Sequence, residues 1–502
     1  MKTNSLLVVL IITLLGVFAN SSCSGDKYWQ DPRQDESTEL LTVGIPFLRQ
    51  ALRTPEVDPA TQVNSVLFAF LNGDTPSSSI VKVIESSNPN EIAAGKFQLK
   101  LTKGNYFLLV VANPNEKMKN LLVPGTTLKE LSAPYYKPFF YTLTLIEGTD
   151  RVKSIFPIAM LNAQGLVAVK EDHFGETPSS PLSVELELAF ARIIVTGYPT
   201  FDPSMKDLLG KYAIYTIKNT VKEYLMRHMA ILSSGQEEQQ GDGSTARERY
   251  AYSPLYKEIE AATTPESLRP FITSNIFSQK STVLPLEEDW LSKDADLNAK
   301  RNYPGAYRLE HTISSKNLIT TLTPHLVLVY KLCPKSLSPA EGEGWISYQK
   351  RYFMLESDFR NVLLAQKNGT AVNVVAAQKF PSSFFVASQK LLAKAGNDPA
   401  KVLNKAFTEE DIRFYKNSYN FFFFPIRHFD DTQAPQRDSY GRYGIVRGNE
   451  YQFKAPLKIN EFGATGEQEI TNDLTPLKEY KTLEGVIRIN PLNARTEQEL
   501  SY

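Results

Sequence analysis

Apolar and polar residues alternate along most of this chain with the two-residue period of half-buried β-strands. Residues 41–47 alternate in this way and include Pro46, which lacks a backbone N–H and therefore predicts a strand at a sheet edge. Residues 66–71 form a second apolar run. Residues 97–101 and 106–113 alternate on either side of a short glycine-containing connection, which predicts a β-hairpin.

The middle and the end of the chain continue the β pattern. Residues 184–195 predict one long strand, and Gly197 and Pro199 after it make a plausible end for a first domain. Residues 207–229 can also be drawn as an amphipathic helix, although the alternation within them favours a strand. Further strands are predicted at residues 326–332, 351–355, 420–424 and 451–453, and helices only at short segments such as 383–394 and 399–406. The pattern predicts a mainly β chain of two sandwiches with short helical insertions.

The first 23 residues have the organisation of an export signal. Lys2 supplies a positive start, residues 6–17 are an apolar run too short for a membrane span, and small residues precede Cys23. This ending resembles the lipobox of bacterial lipoproteins in its loose Bacteroidetes form, which implies cleavage before Cys23 and acylation of its thiol. The alternative is an ordinary signal peptide that happens to contain a cysteine.

Composition excludes several classes of function. Lys plus Arg and Asp plus Glu each number 55, so no net charge is available to hold a nucleic acid. Two Cys residues in 502 cannot build a disulfide scaffold, and Cys333 is expected to be a small buried hydrophobe because it closes an apolar run. A content of 28 Phe and 24 Tyr is enough to fill real cores and excludes a mainly disordered chain.

Recognisable catalytic and metal-binding motifs are missing from the sequence. The five His residues are scattered, with no HExxH and no close Cys/His spacing, and we expect each to be a surface or hydrogen-bonded structural residue. Neither a phosphate-binding glycine loop nor a G-x-S-x-G element occurs. A carboxylate pair that meets across a cleft leaves no local signature, so a glycosidase stays open in principle. The sequence otherwise predicts no enzyme activity, no metal and no cofactor.

Three segments together resemble the fimbrillins of Bacteroidales, the FimA/Mfa superfamily of surface fimbrial proteins. They are residues 97–113, residues 184–193, and a third block formed by residues 424–428 and 443–451. The resemblance implies two transthyretin-like β-sandwich domains. Arg427, His428 and Arg447 in the third block are interpreted as braces of a hairpin. Pro456 departs from the pattern by interrupting the strand over residues 452–459, where it implies a bulge or an edge position.

The resemblance also implies a route of assembly. Family precursors are exported as lipoproteins, and an arginine-specific protease then removes the first strand, so that a strand from another subunit can fill the open groove. The candidate cleavage site here is Arg53, with Arg49 as the alternative, because Arg53 enters a polar stretch that contains proline. The candidate donor strand contains Val486, Ile487 and Ile489, after a polar linker at residues 463–469 that could let the end detach.

These inferences divide the chain into a signal peptide at 1–22, a lipidated propeptide with a removable edge strand at 23–53, sandwiches at 54–200 and 201–480, and a donor tail at 481–502. The expected product is a structural or accessory fimbrial subunit at the outer membrane and cell surface. Its expected partners are other subunits, the protease, and a host or bacterial adhesion ligand. The alternatives are a membrane-retained anchor, a tip adhesin, or a glycan-binding lipoprotein that uses Trp29, Trp290 or Trp345.

Overall fold

A computed structural model shows a mainly β chain whose sheets form two sandwiches with helical insertions, as predicted. It describes residues 38–46, 62–141, 144–145, 152–154, 157–163, 165–176, 182–196, 199–217, 222–226, 267, 307–312, 319–320, 322–426, 444–466, 469, 477, 483–491 and 498–501. Among the helices in these ranges, none combines the length and the apolar character of a membrane span.

The N-terminal strands are Thr38–Gly44 (β1), Val66–Leu71 (β2), Ile80–Ser86 (β3), Lys96–Thr102 (β4), Tyr106–Ala112 (β5), Pro134–Tyr136 (β6), Thr144–Leu145 (β7), Val152–Ser154 (β8), Met160–Asn162 (β9), Val167–Val169 (β10), Leu182–Ser183 (β11) and Leu186–Leu188 (β12). Short helices span Pro89–Ala94 (α1), Glu116–Leu121 (α2) and Leu128–Leu131 (α3). The N-cap residue Asn88 accepts a bond from Asn90 N, and Gly95 at φ 57° ends α1 in the left-handed conformation that glycine adopts without strain.

The first sandwich packs a three-stranded sheet, β11-β1-β4, against a larger sheet that contains β12-β9-β5-β2-β3, with β10 paired to β5. Their facing side chains share one apolar cluster, in which the rings of Phe68 on β2 and Phe97 on β4 lie 5.1 Å apart. The predicted hairpin of residues 97–101 and 106–113 is wrong, because β4 pairs with β1 in one sheet whereas β5 pairs with β2, β9 and β10 in the other, so the turn around Gly104 carries the chain between sheets. The predicted edge position of the first strand is wrong, because β1 ends at Gly44, before Pro46, and has neighbours on both sides.

The remaining strands are Ala191–Thr196 (β13), Thr200–Phe201 (β14), Met205–Ile217 (β15), Lys222–Tyr224 (β16), Tyr307–Arg308 (β17), His311–Thr312 (β18), His325–Pro334 (β19), Trp345–Tyr348 (β20), Tyr352–Leu355 (β21), Phe407–Glu409 (β22), Ile412–Tyr415 (β23), Tyr419–Pro425 (β24), Gly444–Ile445 (β25), Asn449–Ile459 (β26), Leu483–Pro491 (β27) and Gln498–Ser501 (β28). The longer helices are Glu356–Lys367 (α4) and Ser382–Lys394 (α5), followed by Pro399–Val402 (α6).

The second sandwich consists of the sheet β17-β13-β26-β27-β28, with β14 beside β26, and the sheet β15-β19-β24. Side chains from both sheets, including Val195, Leu328, Phe422 and Phe453, fill the layer between them. The register of β26 with β27 shifts between Lys454 and Lys458, on either side of Pro456, so the predicted bulge is confirmed. Residues 212–217 form a strand within β15, as favoured over the helix.

The predicted long strand over residues 184–195 is wrong, because the chain breaks at Ala189 and Phe190. β12 pairs with β9 in the first sandwich, whereas β13 pairs with β26 and β17 in the second. The change of sheet therefore falls before Ala191, upstream of the predicted boundary near residue 200. The break lets the apolar residues on its two sides enter two different cores.

A third apolar core belongs to an insert, which we define as residues 335–418, between the paired strands β19 and β24. The insert contains the antiparallel sheet β21-β20-β23-β22 and the helices α4, α5 and α6. Phe359 on α4 and Phe384 on α5 are fully buried with Ile346 and Phe414 of the sheet. The sequence predicted α5 but assigned no helix to residues 356–367.

Candidate functional site

The strongest candidate site is the position that β1 occupies in the first sandwich. Every residue of β1 pairs with β4, from Thr38 opposite Thr102 to Gly44 opposite Lys96. On its other side, Val43 and Gly44 pair in parallel with β11, and Leu40 O accepts a hydrogen bond from Gly175 N at 2.8 Å. β1 thus fills a slot between two parts of the chain that lie far downstream in sequence.

The side chains of β1 alternate between the core and the surface. Leu41, Val43 and Ile45 are fully buried in the N-terminal apolar cluster. Burying one such side chain contributes about 1.5–3 kcal/mol, so the three together are a large fraction of the stability of an ordinary domain. Removing β1 would expose the apolar surface against which these three side chains pack. It would also expose the backbone N–H and C=O groups of β4 that now pair with β1.

The predicted modification sites lie outside the described residues. Cys23, Arg49 and Arg53 belong to parts of the chain on which the structure gives no information, as do Trp29, Trp290, Arg427 and His428. The first range that the structure describes is residues 38–46. β1, which ends at Gly44, is therefore close in sequence to both candidate arginines. Acylation and cleavage therefore stay predictions from sequence.

The predicted donor residues lie in β27, and this strand is paired within its own chain. Ile487 and Ile489 are opposite Phe453 and Tyr451 of β26, and Val486 is opposite Lys454. β28 pairs with the other edge of β27. The C-terminal end, which the sequence suggested could detach, is therefore paired in a sheet of its own chain. A donor role requires β27 to separate first from β26.

The predicted polar linker at residues 463–469 is also not a free segment. Gly463, Thr465 and Gly466 are buried, and Ala464 pairs with Phe421 on β24 through two backbone hydrogen bonds of 2.8 and 3.0 Å. The sequence suggested a linker because small and polar residues predominate here. The burial arises from the neighbouring Phe462, which anchors the segment among aromatic side chains.

Buried charges connect the two sandwiches. Arg447, which is fully buried, donates from Nε to Glu187 Oε1 on β12 at 2.7 Å and from Nη1 to Tyr224 O at 3.0 Å. Glu310, also buried, lies 3.9 Å from Arg447 Nε. Gly448 N donates to Phe190 O at 3.0 Å. The interpretation of Arg447 as a structural brace fits this geometry, and the brace joins the two sandwiches.

A second ion pair lies beside this junction and was missed by sequence reasoning. Arg192 on β13 pairs with Glu450 on β26, and both residues are largely buried. Arg192 lies in the second fimbrillin-like segment and Glu450 in the third, so the resemblance contained both residues without indicating that they meet. Their pairing required knowledge that β13 and β26 are neighbouring parallel strands.

Packing and hydrogen bonds inside the fold surround the other candidate residues, namely Trp345, Cys333, His311 and His325. Trp345 is fully buried, stacks on Tyr415 with ring centroids 4.0 Å apart, and donates from Nε1 to Leu332 O at 2.8 Å. Cys333 is buried as predicted, and burial raises the pKa of its thiol. Burial lowers the pKa of His311 to about 4, so this imidazole stays neutral near pH 7. His325 Nδ1 lies 2.7 Å from Thr323 O.

No group of three His, Cys, Asp or Glu side chains suited to a metal ion occurs in the part of the chain that the structure describes. Tyr415, whose pKa burial raises to about 12, donates its hydroxyl proton to Gly463 O and serves as a structural contact. The chemistry of the described residues is therefore that of strand pairing, apolar burial and internal ion pairs.

Comparison with known proteins assigns the C-terminal region. Residues 413–498 match the family model described as "Major fimbrial subunit protein type IV, Fimbrillin, C-terminal". These residues are similar to the C-terminal region of fimbrillins. They include β24 to β27 and the buried residues Arg447 and Glu450. The resemblance to the fimbrillin superfamily that the sequence predicted is confirmed by this match.

Solved structures give weaker similarities. The chain is 12% identical to a fimbrilin (FimA) from Porphyromonas gingivalis W83, covering 91% of this chain and 97% of that one, with a TM-score of 0.41. It is 9% identical to the tip fimbrial protein Mfa3 from Porphyromonas gingivalis, covering 93% and 99%, with a TM-score of 0.34. No curated protein matches the sequence. At such TM-scores the family assignment rests on residues 413–498.

Proposed function

We propose that this chain is a structural or accessory subunit of a cell-surface fimbrium and contributes to adhesion. It is exported as a lipoprotein acylated at Cys23, cleaved after Arg53 by an arginine-specific protease, and polymerised by donor-strand exchange. The released β1 leaves a slot, and the β27 region of another subunit, with Val486, Ile487 and Ile489, enters it. Other subunits, the protease and the outer membrane are its partners, and no cofactor takes part.

The observation that carries this proposal is the position of β1. β1 comes first among the described strands, yet it lies between β4 and β11 and its apolar residues reach the centre of the core. A strand that joins the rest of its domain mainly by backbone pairing and apolar burial can be replaced by another strand with the same alternation. A region of the same chain that is similar to the C-terminal region of fimbrillins supports the same type of assembly.

The environment of Trp345 disfavours this residue as a glycan-binding platform. A sugar stacks on an exposed aromatic face, whereas one face of Trp345 is covered by Tyr415 and its indole N–H is bonded to Leu332 O. An anchor or tip role differs from the proposed one in the mature N-terminus, because an anchor would retain Cys23 with its lipid and β1.

The decisive measurement is N-terminal sequencing of the protein taken from assembled fibres on the cell surface. We expect Thr54 as the first residue, because Arg53 enters a proline-bearing polar stretch. Arg53→Ala should leave uncleaved precursor, and Arg49→Ala, its matched control four residues earlier, should be processed normally. Acylated Cys23 on the assembled form would refute cleavage and would identify the protein as an anchor.

A further inference from the structure

The segment after β26 is held in place by the insert. We define the strap as residues 460–466, between the end of β26 at Ile459 and the described residue Glu469. The strap leaves the sheet that contains β26 and crosses to β24 of the facing sheet, where Ala464 pairs with Phe421. It is therefore an extra edge element beside β24, located between the fixed body of the second sandwich and the C-terminal strands β27 and β28.

The strap contacts the insert through an aromatic ring. The ring of Phe462 lies 4.8 Å from Trp345 and 5.9 Å from Phe353, centroid to centroid, and both of these residues belong to the insert. Tyr415, also of the insert, stacks on Trp345 and lies 6.4 Å from Phe462. Aromatic pairs at such distances contribute about 0.5–1.5 kcal/mol each beyond the area they bury.

Polar contacts fix the rest of the strap to the insert. Tyr415 Oη donates to Gly463 O at 3.0 Å. Glu469 Oε1 accepts one hydrogen bond from Thr408 Oγ1 on β22 of the insert, at 2.7 Å, and another from Thr465 N of the strap, at 2.8 Å. This one carboxylate therefore links Glu469 both to the insert and to the strap. A Cβ added at Gly463 would lie 2.5 Å from Phe421 O, which requires glycine at this close approach.

We infer that the insert is a clamp for the strap, so that the strap stays on β24 when β27 and β28 separate from β26. The inference rests on the proposed donor role of β27. The insert connects directly to β19 and β24, and its contacts reach the strap and Glu469, so the clamp holds this segment of the chain against the second sandwich. With the strap held by the clamp, β27 and β28 can separate from β26 while the core of the second sandwich stays closed.

Hydrogen exchange on the full chain tests the clamp. Phe462→Ala removes the aromatic contact, and we expect the exchange of strap amides such as Ala464 N to accelerate by at least about tenfold. The matched control is Glu461→Ala, because Glu461 pairs with Lys350 of the insert at 3.1 Å but both side chains are more than half exposed. Such an exposed pair contributes little, so the control should exchange like the wild type. Unchanged exchange in Phe462→Ala would overturn the clamp.

Two engineered disulfides test whether the strap stays in place during assembly. Thr408 Oγ1 and Thr465 Oγ1 lie 3.3 Å apart, so Thr408→Cys with Thr465→Cys can lock the strap to the insert. Gln452 and Arg488 are directly opposite on β26 and β27, so Gln452→Cys with Arg488→Cys can lock β27 in its own sheet. We expect the strap lock to polymerise like the wild type, and the β26–β27 lock to be blocked until it is reduced.

The two locks separate the inference from the function on which it rests. Reversible inhibition of polymerisation by the strap lock would overturn the inference, because it would mean that the strap must leave β24. Normal polymerisation of the β26–β27 lock would instead overturn the donor role of β27. Each single-cysteine variant serves as a control for the substitution itself, and native Cys333 is buried with a raised thiol pKa, which keeps it protonated and unreactive.

Discussion

At the scale of single residues, the junction between the sandwiches depends on a buried positive charge that is paired with buried negative charge. The side chain of Arg447 has no exposed surface, and that of its nearest partner, Glu187, is 4% exposed. Two desolvated charges contribute little net stability as a pair, but the loss of one leaves the other buried and uncompensated. Sequence patterns could not reveal this pairing, because Glu187 occupies a strand position at which alternation suggests solvent.

Replacing Arg447 with Met should therefore destabilise the protein strongly. We expect Arg447→Met to lower the free energy of unfolding by about 3–5 kcal/mol, because Glu187 and Glu310 would keep their burial and lose their cation. Arg360→Met is the matched control: Arg360 pairs with Glu356 at 2.8 Å, but its side chain is 44% exposed, and the expected change is below about 1 kcal/mol. Urea unfolding measures both, and equal changes would contradict the importance of the junction.

At the scale of elements, local sequence patterns predicted where the strands lie better than they predicted which strands pair with one another. The alternation of residues 41–47, 97–101 and 106–113 predicted real strands, because side-chain period depends on local geometry. The edge position assigned to β1 relied on Pro46, yet β1 ends before that residue. The break at Phe190 was missed because an apolar run has the same appearance whether it enters one core or two. The burial of the strap was missed for a related reason, since its partners are distant in sequence.

The slot of β1 can be tested with a peptide. A peptide of residues 38–46, added to protein cleaved after Arg53, should raise its melting temperature and slow its polymerisation, because it restores the pairing with β4 and the buried Leu41, Val43 and Ile45. The control peptide carries Val43→Lys, which would place an ammonium group at a fully buried position. Equal effects of both peptides on cleaved protein would contradict a specific slot.

At the scale of the whole molecule, the three largest apolar clusters of the described residues lie in three different parts of the chain. The first core receives β1, the second contains β26 beside β27, and the third belongs to the insert. The sequence predicted two sandwiches and some helical insertion. It could not predict that the insert is a unit with its own core, because the strands β19 and β24 that bracket it are far apart in sequence and pair only in the folded chain.

Loss of the core of the insert should loosen the insert and the strap together. Phe384 is fully buried, with Phe380 at 4.4 Å and Tyr348 at 5.4 Å, so Phe384→Ala should destabilise the insert by about 3–5 kcal/mol. Hydrogen exchange should then accelerate in β20, β23 and the strap, and stay unchanged in β2 and β5. Val386→Ala, on the same helix at a position 57% exposed, should leave all of these rates unchanged. Uniform acceleration across the first sandwich in Phe384→Ala would mean that the insert and the sandwiches unfold as one unit, whereas acceleration in the insert without the strap would show that the strap is held by β24 alone.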